Sequence, residues 1–181
     1  MNNTNCYIEF DIFYTEKYND LKRVFELLKQ TKNNCEQKND KFWLDNFPKY
    51  SLEKFYFLDD DIKPDFKTSE NGEFTWHFYS LILLLETNYE IEYISCEMIE
   101  RDKGRIEFDP YSYPYGGISG LITFIKSFDC YPAKTDDGTG IYEIDLLKNG
   151  DFNLIDVKDT KPKEKFDIKI EFQRFIKKLK S

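Results

Sequence analysis

The sequence predicts an α+β protein in which an antiparallel sheet carries helices packed on one face. Three observations lead there. Short runs alternate apolar and polar residues, as where Ile8, Phe10, Ile12 and Tyr14 interleave with Glu9, Asp11 and Phe13, the pattern of a half-buried strand. Other runs repeat at 3.6 residues, most clearly Ile118, Leu121, Ile122, Ile125 and Phe128. Several of the alternating runs are joined by hairpin-length links, which suit antiparallel pairing.

In chain order, the first strand runs from about 6 to 14 and reads as an edge or hairpin strand. Thr15 is placed to cap a helix over roughly 16–31, since Tyr18, Leu21, Val24, Phe25 and Leu28 share a face. Glu16 in its first turn and Lys29 and Lys32 near its end match the helix dipole. Asn33 to Lys41 is polar and reads as a loop. Phe42, Trp43, Phe47, Tyr50, Phe55, Tyr56 and Phe57, with Trp76 later, form an aromatic-rich stretch without a clean period, so its secondary structure stays open. Phe74 to Glu86 is apolar on every side and suits a buried helix.

Beyond it, Tyr89, Ile91 and Tyr93 lie on one face of a strand, and the apolar set then shifts to Ile94, Cys96 and Met98. A one-residue change of face predicts a β-bulge near 93–95. The turn Arg101 to Gly104, with the glycine left-handed, returns the chain into Arg105 to Asp109. Pro110 and Pro114 keep the next segment extended, and Gly116 and Gly117 permit a sharp start for the helix near 117. Its wet side is assigned to Thr123, Lys126 and Ser127. Ile141–Leu146 and Asp151–Val157 then pair across Lys148-Asn149-Gly150. Residues 164–180 fit both a strand, through Phe166, Ile168, Ile170 and Phe172, and a helix with a lysine-rich finish. The order strand, helix, insert, hairpin, helix, strand is that of a split βαβ, ferredoxin-like core, with an aromatic insert over about 33–87; another strand order is the alternative.

At 181 residues the chain has the length of a single domain, 1–181, with a self-sufficient core. It carries 26 Lys and Arg against 34 Asp and Glu, a net charge of -8, which argues against binding a phosphate backbone. The charge is uneven: residues 161–181 hold eight basic and three acidic side chains, leaving -13 on residues 1–160. Cys6, Cys35, Cys96 and Cys130 form no C-x-x-C pair, the N-terminus has no apolar signal region, and no apolar run reaches membrane-spanning length. The expectation is a cytoplasmic protein with free thiols that neither spans a membrane nor binds nucleic acid.

The motifs for chemistry are sparse. His77 is the only histidine, so a metal site with two imidazoles cannot be built, and no metal or cofactor is expected. A Cys–His dyad of Cys96 or Cys130 with His77 is formally open, but buried cysteines are usually inert. Asp59, Asp60, Asp61 and Asp65 lack calcium-loop spacing and read as a solvated charge run. Asp136-Asp137-Gly138-Thr139-Gly140 reads as a turn whose carboxylates face Arg105 across the sheet. Glu90 with Glu92, and Glu107 with Asp109, are same-face strand pairs of the kind any solvent-facing strand provides.

Absence of catalytic motifs together with excess acid favours a non-enzymatic binding protein, an acidic inhibitor or immunity-type protein that neutralises a basic partner such as a toxin. Its expected partner-binding residues are Asp59, Asp60, Asp61, Tyr111, Tyr113, Tyr115, Asp136 and Asp137. The alternative is a small-ligand binder or enzyme using the loop from Tyr111 to Gly120, with nearby acids and His77.

Overall fold

The computed structural model describes residues 5–64, 76–87, 90–112, 117–148 and 151–157. Among them, six strands form one antiparallel sheet and five helices pack with it around a common core. The chain runs β1 (Cys6–Ile12), α1 (Thr15–Asn33), α2 (Asp40–Asn46), α3 (Lys49–Leu52), α4 (Phe78–Thr87), β2 (Ile91–Glu100), β3 (Lys103–Pro110), α5 (Ile118–Ser127), β4 (Cys130–Asp136), β5 (Ile141–Leu146) and β6 (Phe152–Asp156). The strand order is β2-β3-β1-β4-β5-β6. Its first four strands have the expected split βαβ arrangement, because α1 links β1 to β2 past β3 and α5 links β3 to β4 past β1. The β5–β6 hairpin extends that core, and α2 to α4 form the insert. The connections among α1, α4 and α5 place these helices in one layer.

β1 is central, paired on both sides, rather than an edge or hairpin strand. It alternates strictly, with Cys6, Ile8, Phe10 and Ile12 buried under the helices and Tyr7, Glu9 and Asp11 facing outward. β4 is a strand that periodicity did not reveal: Pro132 and Lys134 break the apolar pattern of Cys130–Asp136. Pro132 is accommodated where the β1–β4 register shifts between Glu9 and Phe10, an irregularity of the kind that tolerates a missing backbone donor. The anticipated bulge is present between Tyr93 and Ser95. The turn glycine is a correction. Gly104 lies inside β3 without a left-handed φ, and a Cβ there would collide with the Phe10 ring, so glycine is required for packing rather than for the turn.

α1 buries the predicted face, Tyr18, Leu21, Val24, Phe25 and Leu28, but Thr15 is its first residue and makes no cap; Tyr14 holds that position without a side-chain bond. Asp40 and Lys41, expected in a loop, open α2, where the Asn39 side chain accepts a hydrogen bond from the Phe42 N–H at 2.9 Å. The aromatic stretch resolves into α2, α3 and a turn. Phe47 is its hub, with ring centroids 5.1 Å from Phe78, 6.2 Å from Phe124 and 5.4 Å from Phe128.

The wet side assigned to α5 is wrong for two residues: Thr123 and Ser127 are buried, and Ser127 lies against the insert. Ser51 Oγ donates to Ser127 Oγ at 3.0 Å, and Ser127 donates to the Phe124 carbonyl at 2.7 Å, so neither hydroxyl is left bare. The face of α5 that periodicity identified, Ile118, Leu121, Ile122, Ile125 and Phe128, is buried as expected. Gly117 has φ -92°, so no positive φ is needed there. α4 starts at Phe78 and is not buried all round, since Leu83 is 50% exposed. The turn at Asn149-Gly150, Tyr113 and Tyr115, and the segment 161–181 with its two readings lie outside the described residues.

Two expectations follow. Gly104→Ala should destabilise the protein by about 1–3 kcal/mol through overpacking against Phe10, and Phe10→Leu introduced with it should return part of that loss. Denaturant unfolding of the single and double variants checks this; simple additivity would show that Phe10 is not the reason for the glycine. The second concerns Glu86, buried against the Lys38 backbone N–H at 3.1 Å. Burial raises its carboxyl above the ordinary 4.5, despite the Lys38 N–H and the neighbouring Trp43 indole, whose N–H lacks true hydrogen-bond geometry. A raised folded value means that ionised Glu86 opposes folding at neutral pH, and that the penalty fades as pH falls through it towards the ordinary value. Glu86→Gln should therefore hold or raise the melting temperature at about pH 7 and lose that advantage near about pH 4. A melting temperature lowered more at neutral than at acid pH would contradict the sign.

Candidate functional site

The cross-strand register assigns the outward face of the sheet residue by residue. Tyr7 stands opposite Glu107 and Asp136, Glu9 opposite Arg105 and Lys134, and Asp11 opposite Lys103 and Tyr131. Beyond these, Asp109 continues β3, Glu97 lies across from Arg105 on β2, and Glu143 and Asp145 occupy the same face of β5, with Ile141 and Ile155 as apolar points. Ten carboxylates (Glu9, Asp11, Glu92, Glu97, Glu100, Glu107, Asp109, Asp136, Glu143, Asp145) thus share this face with three basic groups, Lys103, Arg105 and Lys134.

Some of this charge is internally matched. Arg105 bonds Glu9, lies 3.7 Å from Glu107, and stacks over the Tyr7 ring at 4.4 Å. Lys103 is 3.7 Å from Asp11, and Lys22 of α1 reaches Glu97 at 2.6 Å around the β2 edge. Asp109, Glu143 and Asp145 make no ion pair among the described residues. Arg105 pairs with Glu9, in place of the Asp136 and Asp137 carboxylates expected opposite it.

The acids concentrate where β1 begins. Burial and then the carboxylates of Asp136, Asp137 and Asp109 push the Cys6 thiol up to about 11. Burial, Glu9 and Asp136 likewise raise the Tyr7 phenol, with Arg105 opposing them. Asp136 and Asp137 also shape the β4–β5 turn: Asp136 accepts from the Gly138 N–H and Asp137 from the Thr139 N–H, both at 2.9 Å, with Gly138 at φ 90°. Asp137 is buried, so of the two only Asp136 stands on the face. Tyr111, 71% exposed, lies at the same end of the sheet, its N–H donating to the Glu90 carbonyl at 2.8 Å.

Asp59, Asp60 and Asp61 are elsewhere, between α3 and α4 on the helical layer. Asp59 pairs with Lys63 at 3.1 Å, and Asp60 is exposed. Asp61 bonds His77 Nε2 at 2.7 Å and also accepts from the Leu58 N–H. His77 Nδ1 meets Ser80 Oγ at 2.8 Å, and the ring lies between Tyr56 and Tyr79, at 5.4 and 5.7 Å. Acid, imidazole and hydroxyl stand in series, but Ser80 is three residues along the first turn of α4, so that contact is local. With the Tyr79 hydroxyl bonding the Ile62 carbonyl, the set ties the loop over 58–63 onto α4.

His77 and Tyr111 stand near opposite ends of α4, a helix about 15 Å long, so the histidine does not join the Tyr111 loop. Both His77 nitrogens are engaged by Asp61 and Ser80, and burial raises the thiols of Cys96 and Cys130, which leaves no Cys–His dyad among the described residues. Among the described residues no group of three metal-ligating side chains is assembled, and no helix is long and apolar enough to cross a membrane.

Reasoning from the sequence missed Asp109, Glu143, Asp145 and the Glu9–Arg105–Glu107 ladder as members of one surface. Strand alternation was the available signal, but β4, which connects β1 to β5, had not been recognised. No family model, curated protein or solved structure matches the chain.

The loop staple makes its own prediction. Burial opposes ionisation of Asp61, yet the hydrogen bonds from His77 and the Leu58 N–H hold its carboxyl below the ordinary 3.8. A depressed folded value gives stability that is present above the unfolded value and lost as pH falls through the folded one. Asp61→Asn should cost about 1–2 kcal/mol at neutral pH and progressively less in strong acid. Urea unfolding at both pH values tests it; an equal cost at each would mean that the carboxylate charge is irrelevant.

Proposed function

We propose that this chain is a non-enzymatic, acidic binding protein of the inhibitor or immunity type, acting in the cytoplasm, whose open sheet face docks a basic protein partner such as a toxin and neutralises it. One observation carries the reading: ten carboxylates against three basic groups on one sheet face, with the α1, α4 and α5 layer on the other. Six strands about 4.8 Å apart and roughly 20 Å long offer a surface near the scale of one side of a standard protein interface. Tyr7 and Tyr131 supply the aromatic contacts that such interfaces favour, and Ile141 and Ile155, each 40% exposed, supply apolar ones.

The surplus of acid steers a cationic partner into encounter, an effect screened beyond about 8 Å at physiological salt. Asp136 and Tyr111 belong to this reading by position. Asp59 and Asp60 stand apart from the face and serve as the comparison.

The test begins with capture from a native lysate, followed by association kinetics over a salt series. The double variant Glu143→Lys/Asp145→Lys should slow association about tenfold or more at low salt with unfolding unchanged, whereas Asp59→Lys/Asp60→Lys should change it far less. Unchanged kinetics in the sheet-face variant, or no protein retained at all, would overturn the proposal. Turnover of a small molecule that is lost in His77→Ala would replace it with an enzymatic reading.

A further inference from the structure

The last described strand delivers the chain to the acidic end of the sheet. β6 runs antiparallel to β5, and just past it the Val157 N–H donates to the Ile141 carbonyl at 3.1 Å. Ile141 is in turn the register partner of Asp136, which stands opposite Tyr7 at the start of β1. The residues after 157 therefore set out from the end of the sheet at which Asp136 and Asp109 gather near Cys6, two strands away from Asp136.

The face beside them has a charge surplus of known sign, ten carboxylates against three basic groups. Arg105 and Lys103 are already engaged with Glu9 and Asp11, and Lys22 reaches round to Glu97. Glu143 and Asp145, on the strand next to β6, are exposed and make no ion pair among the described residues. Apolar points interrupt the charge, with Ile141 and Ile155 each 40% exposed and Tyr131 42%. Residues 161–181 have the complementary composition: eight basic and three acidic side chains, net +5, interspersed with apolar ones such as Phe166, Ile168, Ile170 and Phe172. Reach is no obstacle. Lys161 is four residues beyond Val157, and the sheet, about 24 Å across, is spanned by about seven or eight extended residues.

We infer that residues 161–181 dock in cis on the outward sheet face, their basic groups among Glu143, Asp145 and Asp136 and their apolar side chains on Ile141 and Ile155, so that a basic partner must displace them to bind. The displacement step rests on the binding function proposed above; the contact itself does not. Exposed ion pairs are individually weak, but a segment tethered this closely has an effective concentration on the order of millimolar, which suffices to populate a contact of low intrinsic affinity. The same weakness lets a tighter external partner replace it.

The test uses the full chain in a Cys35→Ser background with a nitroxide on Gln173→Cys, since Cys6, Cys96 and Cys130 are buried. At low salt the transverse relaxation rates of the Glu143 and Asp145 amides should rise about twofold or more over the reduced label, those of α1 should not, and the rise should fade at about 1 M salt, where the screening length is about 3 Å. Lys177→Glu/Lys178→Glu/Lys180→Glu, which takes the segment from +5 to -1, should abolish it. Absence of broadening, equal broadening of α1, or broadening unmoved by salt and by charge reversal would overturn the inference. Broadening when nitroxide and isotope are carried on separate molecules would place a second copy's segment on the face and overturn the assignment in cis. No partner is present in this measurement, so it and the capture from lysate fail separately. With a captured partner, the triple variant should associate about threefold faster. An unchanged or slower rate would show that partner and segment do not compete.

Discussion

The register of β1 is the constraint on which the rest of the sheet depends. This central strand pairs with β3 on one side and β4 on the other, and its residues divide between two environments. Cys6, Ile8, Phe10 and Ile12 lie under the helices, and Tyr7, Glu9 and Asp11 face outward. A slip of one residue would drive two carboxylates into the core and four apolar side chains into water, a change of several kcal/mol per buried charge. Phe10 fixes the alignment further, because its ring fills the space left by Gly104 on the neighbouring strand. Once β1 is set, the outward positions of β3 and β4 follow from pairing, and those of β2, β5 and β6 follow from them.

How much of this could be read from the sequence depended on how far each element's environment was local. α1 and α5 were legible because each buries a continuous stripe, and the β2 bulge was legible because the apolar set visibly changes face after Tyr93. β4 was not, since Pro132 and Lys134 interrupt its pattern and the irregularity that accommodates the proline is visible only with β1 alongside. The aromatic insert gave no period because α2 and α3 span seven and four residues, too short to express one. The same insert explains why Ser127, polar by type, is buried: Ser51, far away in sequence, lies against it.

For the candidate surface the division is similar. Composition revealed excess acid, but not its location. Asp59, Asp60 and Asp61 formed the most conspicuous run, yet the fold uses Asp61 to hold His77 and Leu58, and Asp59 pairs with Lys63. Asp109 and Asp136, 27 positions apart, converge on Cys6 only because β3 and β4 flank the same strand. Nothing in the spacing of two aspartates conveys that; strand order does.

The apolar core and the surplus of charge occupy different sides of this sheet. The ion pairs on the outward face are partly exposed, with Lys103 and Asp11 at 44% and 40%, and pairs of that kind typically contribute less than about 1 kcal/mol. The core beneath, from Phe10 through Phe47 to Phe128, is closed by apolar contacts that no outward carboxylate enters. Glu143 and Asp145 have no ion pair among the described residues, so their charges are not needed to hold the strands together. Such side chains are free to change with little effect on the fold, and a face free in that respect can be tuned in charge for an encounter while β1 keeps its register.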